Sequence, residues 1–149
     1  MISVKKLPEE ITLVQEKKII FLIDENVPPF VISDELKIQQ ILISLCEGVH
    51  ALFKSTNIRL TVKVRSHQHN SATLLFVFTN HDDEPIDITA PFNHFIESNI
   101  SLFNTQMALA KEMSQLMEGD VNLGISDSGE RVLTAAIKIL TTLNEPKNT

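Results

Sequence analysis

Hydrophobic and polar positions along this chain follow two periods, one near 3.6 residues and one of 2. Over 33–52 the apolar residues Ile38, Ile41, Leu42, Leu45, Val49 and Leu52 recur at helical spacing. This predicts an amphipathic helix with one stripe turned to a core. Ser33 or Asp34 is placed to cap its first turn, and Glu35 follows where the helix dipole favours negative charge. Gln40, Ser44, Glu47, Gly48 and Ala51 make up a different face of the same helix. A glycine inside a helix costs about 1 kcal/mol relative to alanine, so either something approaches the backbone closely at Gly48 or the position has drifted. A second amphipathic helix is predicted over 105–118. There Met113 and Met117, one turn apart, fill the core, and Gly119 ends the helix.

The period changes to 2 at 58–65, where Ile58, Leu60, Val62 and Val64 alternate with Arg59, Thr61, Lys63 and Arg65. That is a strand with one wet face. The polar run 66–71 turns the chain, and 73–79 returns as a strand apolar on both faces, hence central. The run 17–24 is also apolar on both faces and predicts a buried strand. Before it, Leu7-Pro8-Glu9-Glu10-Ile11 opens a short lead-in helix within 1–16, with proline at an early position where its missing N–H costs little. Asn26-Val27-Pro28-Pro29 breaks the strand, and Val31-Ile32 is an extended stub before the first long helix. Near the end, 121–125 and 131–140 pair across Asp127-Ser128-Gly129. The intervening stretch 80–104 has little periodicity and carries Phe92, Phe95 and Phe103. It reads as a long lid-like connection, of the kind that is often functional or mobile. The tail 144–149 is polar and frayed. This order predicts a single domain over 1–149 of the α+β class: a two-layer α/β sandwich with a mixed, mostly antiparallel sheet and helices packed on one face.

Composition narrows the partners. The chain has 149 residues, enough for one domain with a sizeable core, and is 43% hydrophobic and 21% charged. A net charge of −6 with scattered Lys and Arg argues against nucleic acid as the main partner. No apolar run is long enough to span a bilayer and no secretory segment follows Met1, so the segment is expected to make no direct membrane contact. The lone Cys46 has no internal disulfide partner, which points to a reducing cytoplasm. The cytoplasmic part of a membrane-bound receptor would have the same composition.

Several motifs resemble those of the ATP-binding domain of two-component sensor histidine kinases, the Bergerat fold shared with gyrase and chaperone ATPases. Val27-Pro28-Pro29 followed by Val31-Ile32-Ser33-Asp34-Glu35-Leu36 is similar to the family's Val-Pro-x-x-Val-x-Gly-Asp-x-x-Arg. Gln40-Ile41-Leu42 fits the Gln-apolar-Leu before the family's first asparagine. Met107-Ala108-Leu109-Ala110-Lys111 through Gln115-Leu116-Met117-Glu118-Gly119-Asp120-Val121 is similar to Leu-Ala-Ile-x-Lys through Glu-Leu-Met-Gly-Gly-Glu-Ile, and Ser128-Gly129-Glu130 fits the last hairpin turn. The resemblance covers 7–140. It implies ATP and Mg²⁺ as cofactors, and a helical dimerisation domain or a receiver domain as partner.

The departures fall on the nucleotide chemistry. The family's two helix asparagines fall on Ser44 and Gly48, and glycine has no side chain to hold Mg²⁺. The lysine that follows in many members falls on Ala51. The adenine-binding aspartate falls on Asn80, with Asp82 or Asp83 able to shift in, and the two glycines that follow it are absent. The glycine-rich segment that should approach phosphate reads Ser101-Leu102-Phe103-Asn104-Thr105-Gln106. The resemblance thus leaves Ser44, Glu47, Gly48, Asn80, Asp82 and Asp83 as the family's cofactor positions, with ATP and Mg²⁺ binding weak or absent. It implies a degenerate, regulatory domain in phosphorelay signalling. The alternatives are an active catalytic domain passing the γ-phosphoryl group to a histidine on a separate domain, with Asp82 or Asp83 on adenine and Glu47 or Ser44 aiding the cation, and an interaction module on the same scaffold.

Other signals have simpler readings. His67 and His69 lie in a polar turn without a nearby cysteine, and the solvated turn is the better account than a metal site. The run His81-Asp82-Asp83-Glu84 reads as a solvated loop. His50 is followed by Ala51 rather than an acidic residue and reads as structural, not as a phosphoacceptor. Cys46 faces the core or the pocket edge, with nothing nearby to lower its pKa.

Overall fold

The computed structural model describes residues 2–7, 19–52, 58–67, 69–80, 92–125 and 131–141. Seven strands and two long helices are among them: β1 (Ile2–Ser3), β2 (Ile19–Ile23), β3 (Phe30–Val31), α1 (Glu35–Leu52), β4 (Ile58–His67), β5 (Ser71–Asn80), α2 (Phe92–Leu116), β6 (Asp120–Ile125) and β7 (Arg131–Leu140). A short 3-10 turn, Val4–Lys6, follows β1. The main sheet has the order β2-β4-β5-β7-β6, and β1 and β3 form a separate two-stranded ribbon. Only β2 and β4 are parallel, joined by a crossover through α1; every other neighbouring pair in the main sheet is antiparallel. This is the expected mixed, mostly antiparallel α+β sandwich.

Alternation puts one sheet face under the helices. Ile58, Leu60 and Val62 of β4, Leu74, Phe76 and Phe78 of β5, Leu133, Ala135 and Ile137 of β7 and Val121 of β6 are all buried. Their neighbours Thr61, Leu75, Val77, Thr134 and Ala136 are only half-buried. Cross-strand register aligns this face in rows, one of them running Phe21–Leu60–Phe78–Leu133–Leu123. From the helical layer, Ile38, Ile41, Leu42, Leu45 and Val49 of α1 and Ala110 of α2 complete the core. The α1 stripe is the predicted one as far as its side chains are described. Asp34 is the cap: its Oδ1 accepts the Lys37 N–H at 3.2 Å, and Ile38 N–H reaches Asp34 O at 3.1 Å.

Four expectations change. The run 17–24 is expected to be buried on both faces, but among the described residues β2 is an edge strand with Leu22 46% exposed; two-faced apolarity marks a parallel strand without saying whether it has an outer neighbour. Residues 2–3 form a strand rather than part of a lead-in helix, while 8–18 lie outside the described residues. The strand β4 continues to His67, with an irregularity in its pairing to β5 between Val64 and His67. Most consequentially, the lid-like reading of 80–104 is replaced from Phe92 onward by helix. The reason is a spacing hidden among polar residues: Phe92, Ile96, Phe103, Met107, Ala110, Ser114 and Met117 recur at steps of three, four or seven, and no proline or glycine interrupts them. The segment 81–91, the hairpin turn 126–130 and the tail 142–149 lie outside the described residues.

The end of α2 also differs from expectation. Gly119 N–H bonds Ser114 O at 2.8 Å and Glu118 N–H bonds Gln115 O at 3.1 Å, the paired bonds of a Schellman turn. The left-handed residue that such a turn requires is Glu118, at φ 56°, not Gly119. The glycine serves a different need, because a Cβ on it would overlap the carbonyl of Ala136 in β7.

Candidate functional site

The two long helices meet along a seam. Helix α1 carries Ser44, Glu47 and Gly48 on the face turned from its main core stripe, and α2 lies across Gly48. Ser44 is buried, and its Oγ accepts a hydrogen bond from Gln40 Nε2 at 3.3 Å, one helical turn earlier. Glu47 is half-buried. Gly48 is covered by α2: a Cβ there would overlap the Cε methyl of Met107, and would stand 3.6 Å from Gln106 Cβ and 3.7 Å from Phe103 Cδ1. The helical glycine is thus a notch, and the Met107 methyl sits in it.

Helix α2 runs without a break through Ser101–Gln106. Backbone N–H groups in a helix interior bond to carbonyls of the previous turn and are not free to face an anion. Within the described residues α2 begins at Phe92, more than two turns before this segment.

Of the six sequence-predicted positions, the structure brings Ser44, Glu47 and Gly48 together on α1. Asn80 is the last residue of β5 and pairs opposite Ile58; its side chain, with Asp82 and Asp83, lies outside the described residues, as does the side chain of His50. Among the described residues no cluster of three or more His, Cys, Asp or Glu gathers to hold a metal. No helix among them is long and apolar enough to cross a membrane. Cys46 is buried beside Ser44 in sequence but on the core side; burial and, secondarily, the charge of Glu47 push its thiol pKa up to about 12.

The contact of Met107 with Gly48 is not among the sequence expectations, which place only Met113 and Met117 in the core. Met117 is buried, and Met107 and Met113 pack against the core half-exposed. The signal that could have found the contact is the pairing of a helical glycine with a long flexible side chain on the facing helix.

Two surface features flank the seam. On one side, Leu36, Gln40 and Ile43 of α1 and Met113 of α2 line an open groove with Asp34, Lys37 and Gln39. Leu36 is 77% exposed there, and Leu109 and Leu116, one turn either side of Met113, are also exposed. On the other side, Phe103, Met107 and Lys111 of α2 and Val121, Leu123 and Leu133 of the sheet line a half-open pocket of about 190 Å³. Lys111 Nζ stands 3.6 Å from Asp120 Oδ1.

No family model matches this chain, and no curated protein matches it. Solved structures do. The histidine kinase AdeS of Acinetobacter baumannii superposes with a TM-score of 0.55 at 15% identity, over 91% of this chain and 64% of that one. The nucleotide-free catalytic domain of histidine kinase ThkA gives 0.54 at 14% identity, over 91% and 92%. Full-length ShkA in complex with AMPPNP gives 0.61 at 16% identity, over 98% of this chain and 32% of that one. The chain therefore spans less than two thirds of AdeS and about a third of ShkA. This chain has the α+β sandwich fold of histidine-kinase catalytic domains, an HATPase-type fold.

Proposed function

We propose that this chain is a degenerate ATP-binding domain of a two-component sensor histidine kinase, cytoplasmic, acting in phosphorelay signalling through contact rather than phosphoryl transfer. The observation that carries the reading is the Met107 methyl in the Gly48 notch. In histidine kinases the corresponding helix position bears an asparagine that holds Mg²⁺. Here a hydrocarbon-like methyl lies against a residue with no side chain, and neither can ligate a hard cation, which needs oxygen donors. The unbroken helix over Ser101–Gln106 supports the same reading, since its N–H groups are already bonded within the helix. On this view the residues do not fit a magnesium-bound triphosphate, and the domain contributes no chemical step.

What remains is a sandwich whose helical layer presents Leu36, Leu109 and Leu116 to solvent. Such an apolar strip fits contact with a helical dimerisation domain or a receiver domain of the parent protein. Isothermal titration of the domain with ATP, with and without Mg²⁺, tests the proposal. The expected result is no saturable heat at millimolar nucleotide. Saturable, Mg²⁺-dependent binding would establish the other reading, an active catalytic domain.

A further inference from the structure

The half-open pocket between α2, β6 and β7 has a composition that the nucleotide question leaves unexplained. Its walls are Phe103, Met107, Val121, Leu123 and Leu133, and its one charged lining residue is Lys111. We propose that it binds a small amphiphilic carboxylate, a ligand with a short apolar body and an anionic head. The inference shares the Met107–Gly48 contact with the nucleotide reading, but its ligand and its test are different.

The body of the ligand follows from the walls. Leu123 lies in the same cross-strand row as the buried Leu133 and Phe78, yet it is 48% exposed. It is a core-facing residue whose cover is incomplete, and an apolar ligand would bury it. The volume of about 190 Å³ equals the liquid share of about six waters. That suits a short alkyl chain or a single ring. The Met107 methyl is held against α1 by the Gly48 notch, and the same adaptable side chain forms part of the pocket wall.

The head follows from the rim. Lys111 is half-exposed, and its pairing with Asp120 at 3.6 Å is an exposed, readily screened contact. Asp120 Oδ1 also accepts the Val121 N–H at 2.8 Å. That carboxylate therefore keeps a hydrogen-bond donor when the ammonium swings to a ligand carboxylate. A cationic head would meet Lys111 with the same sign of charge, and a headless or purely ionic ligand would forgo one half of the site.

The test uses the full chain carrying ¹³C-methyl methionine, with the Met107 resonance assigned through Met107→Leu. The probes are octanoate, octylamine and acetate. Octanoate is expected to move the Met107 methyl signal saturably, octylamine and acetate are not, and Lys111→Gln, at an exposed position, is expected to weaken octanoate binding about tenfold, the loss of one charge-assisted contact. Absence of a saturable octanoate shift, an equal response to octylamine, or unchanged octanoate affinity in Lys111→Gln would overturn the proposal.

Discussion

Substituting Gly48 should change stability in a direction set by a residue on another helix. Gly48→Ala in an ordinary helix interior gains about 1 kcal/mol from propensity. Here the added Cβ meets the Met107 Cε methyl, with Gln106 and Phe103 already at van der Waals distance on either side. Methionine is flexible, so the overlap is relieved by rotating or displacing its thioether, at a cost of about 1–3 kcal/mol for overpacking. The net effect in the native background is therefore a destabilisation of about 0–2 kcal/mol. In a Met107→Ala background the obstruction is gone, and the same Gly48→Ala change recovers the full helix gain of about 1 kcal/mol. The double-mutant cycle then has a coupling energy of about 1–3 kcal/mol, typical of residues in direct contact. Urea unfolding of the four proteins, read by circular dichroism with linear extrapolation, measures it. An equal gain from Gly48→Ala in both backgrounds would refute the reasoning, because it would mean that Met107 does not occupy the notch.

Other expectations follow from local strain and burial. Glu118 holds the left-handed position of the α2 terminus at φ 56° and pairs with Lys138 only through an exposed contact of 3.7 Å. Glu118→Gly should therefore stabilise the domain by about 0.5–1 kcal/mol, raising Tm by about 1–4 °C. Gly119→Ala should instead cost about 3 kcal/mol or more in urea unfolding, because the obstacle is the Ala136 backbone, which cannot rotate away. The Ser114 hydroxyl is fully buried without a hydrogen-bond partner, and Ser114→Ala should gain about 1 kcal/mol in the same assay. Cys46 is held as the neutral thiol, its pKa raised from 9.0 to about 12 by burial and by Glu47. The unfolded thiol ionises first, so this group leaves stability unchanged below pH 9 and lowers it as pH rises from 9 toward 12. Native protein at neutral pH should resist thiol-alkylating reagents, and rapid labelling there would contradict that environment.

Much of this architecture could be read before any coordinates, for a physical reason. Where one sheet face or helix stripe is buried and the other is wet, as in β4 and α1, the alternation is written directly into Ile58 to Arg65 and Ile38 to Val49. The N-terminal half of α2 was harder, because Asn93, His94, Glu97, Ser98 and Asn99 interrupt the apolar residues and make the segment look like a loop. The edge position of β2 and the two-residue β1 depend on neighbours distant in sequence, which local pattern does not encode. The site divides in the same way. That Ser44 and Gly48 share a face follows from helix geometry alone. That Met107 fills the space above Gly48 depends on how two helices cross, and no spacing within either helix reveals it. The reassignment at the α2 terminus has a similar cause: Gly119 was the residue expected to relieve strain, whereas the turn places the strain on Glu118 and uses the glycine for clearance.

The central claim is that the α1–α2 seam is closed by the chain's own side chain. A nuclear Overhauser measurement between the Met107 ε-methyl and the Gly48 α-protons, repeated in saturating Mg²⁺ and ATP, addresses it most directly. The account predicts a strong cross-peak whose intensity and shifts stay the same when nucleotide is added. Loss of that cross-peak in the presence of Mg²⁺ and ATP would show that the seam opens to admit nucleotide, and would contradict the account.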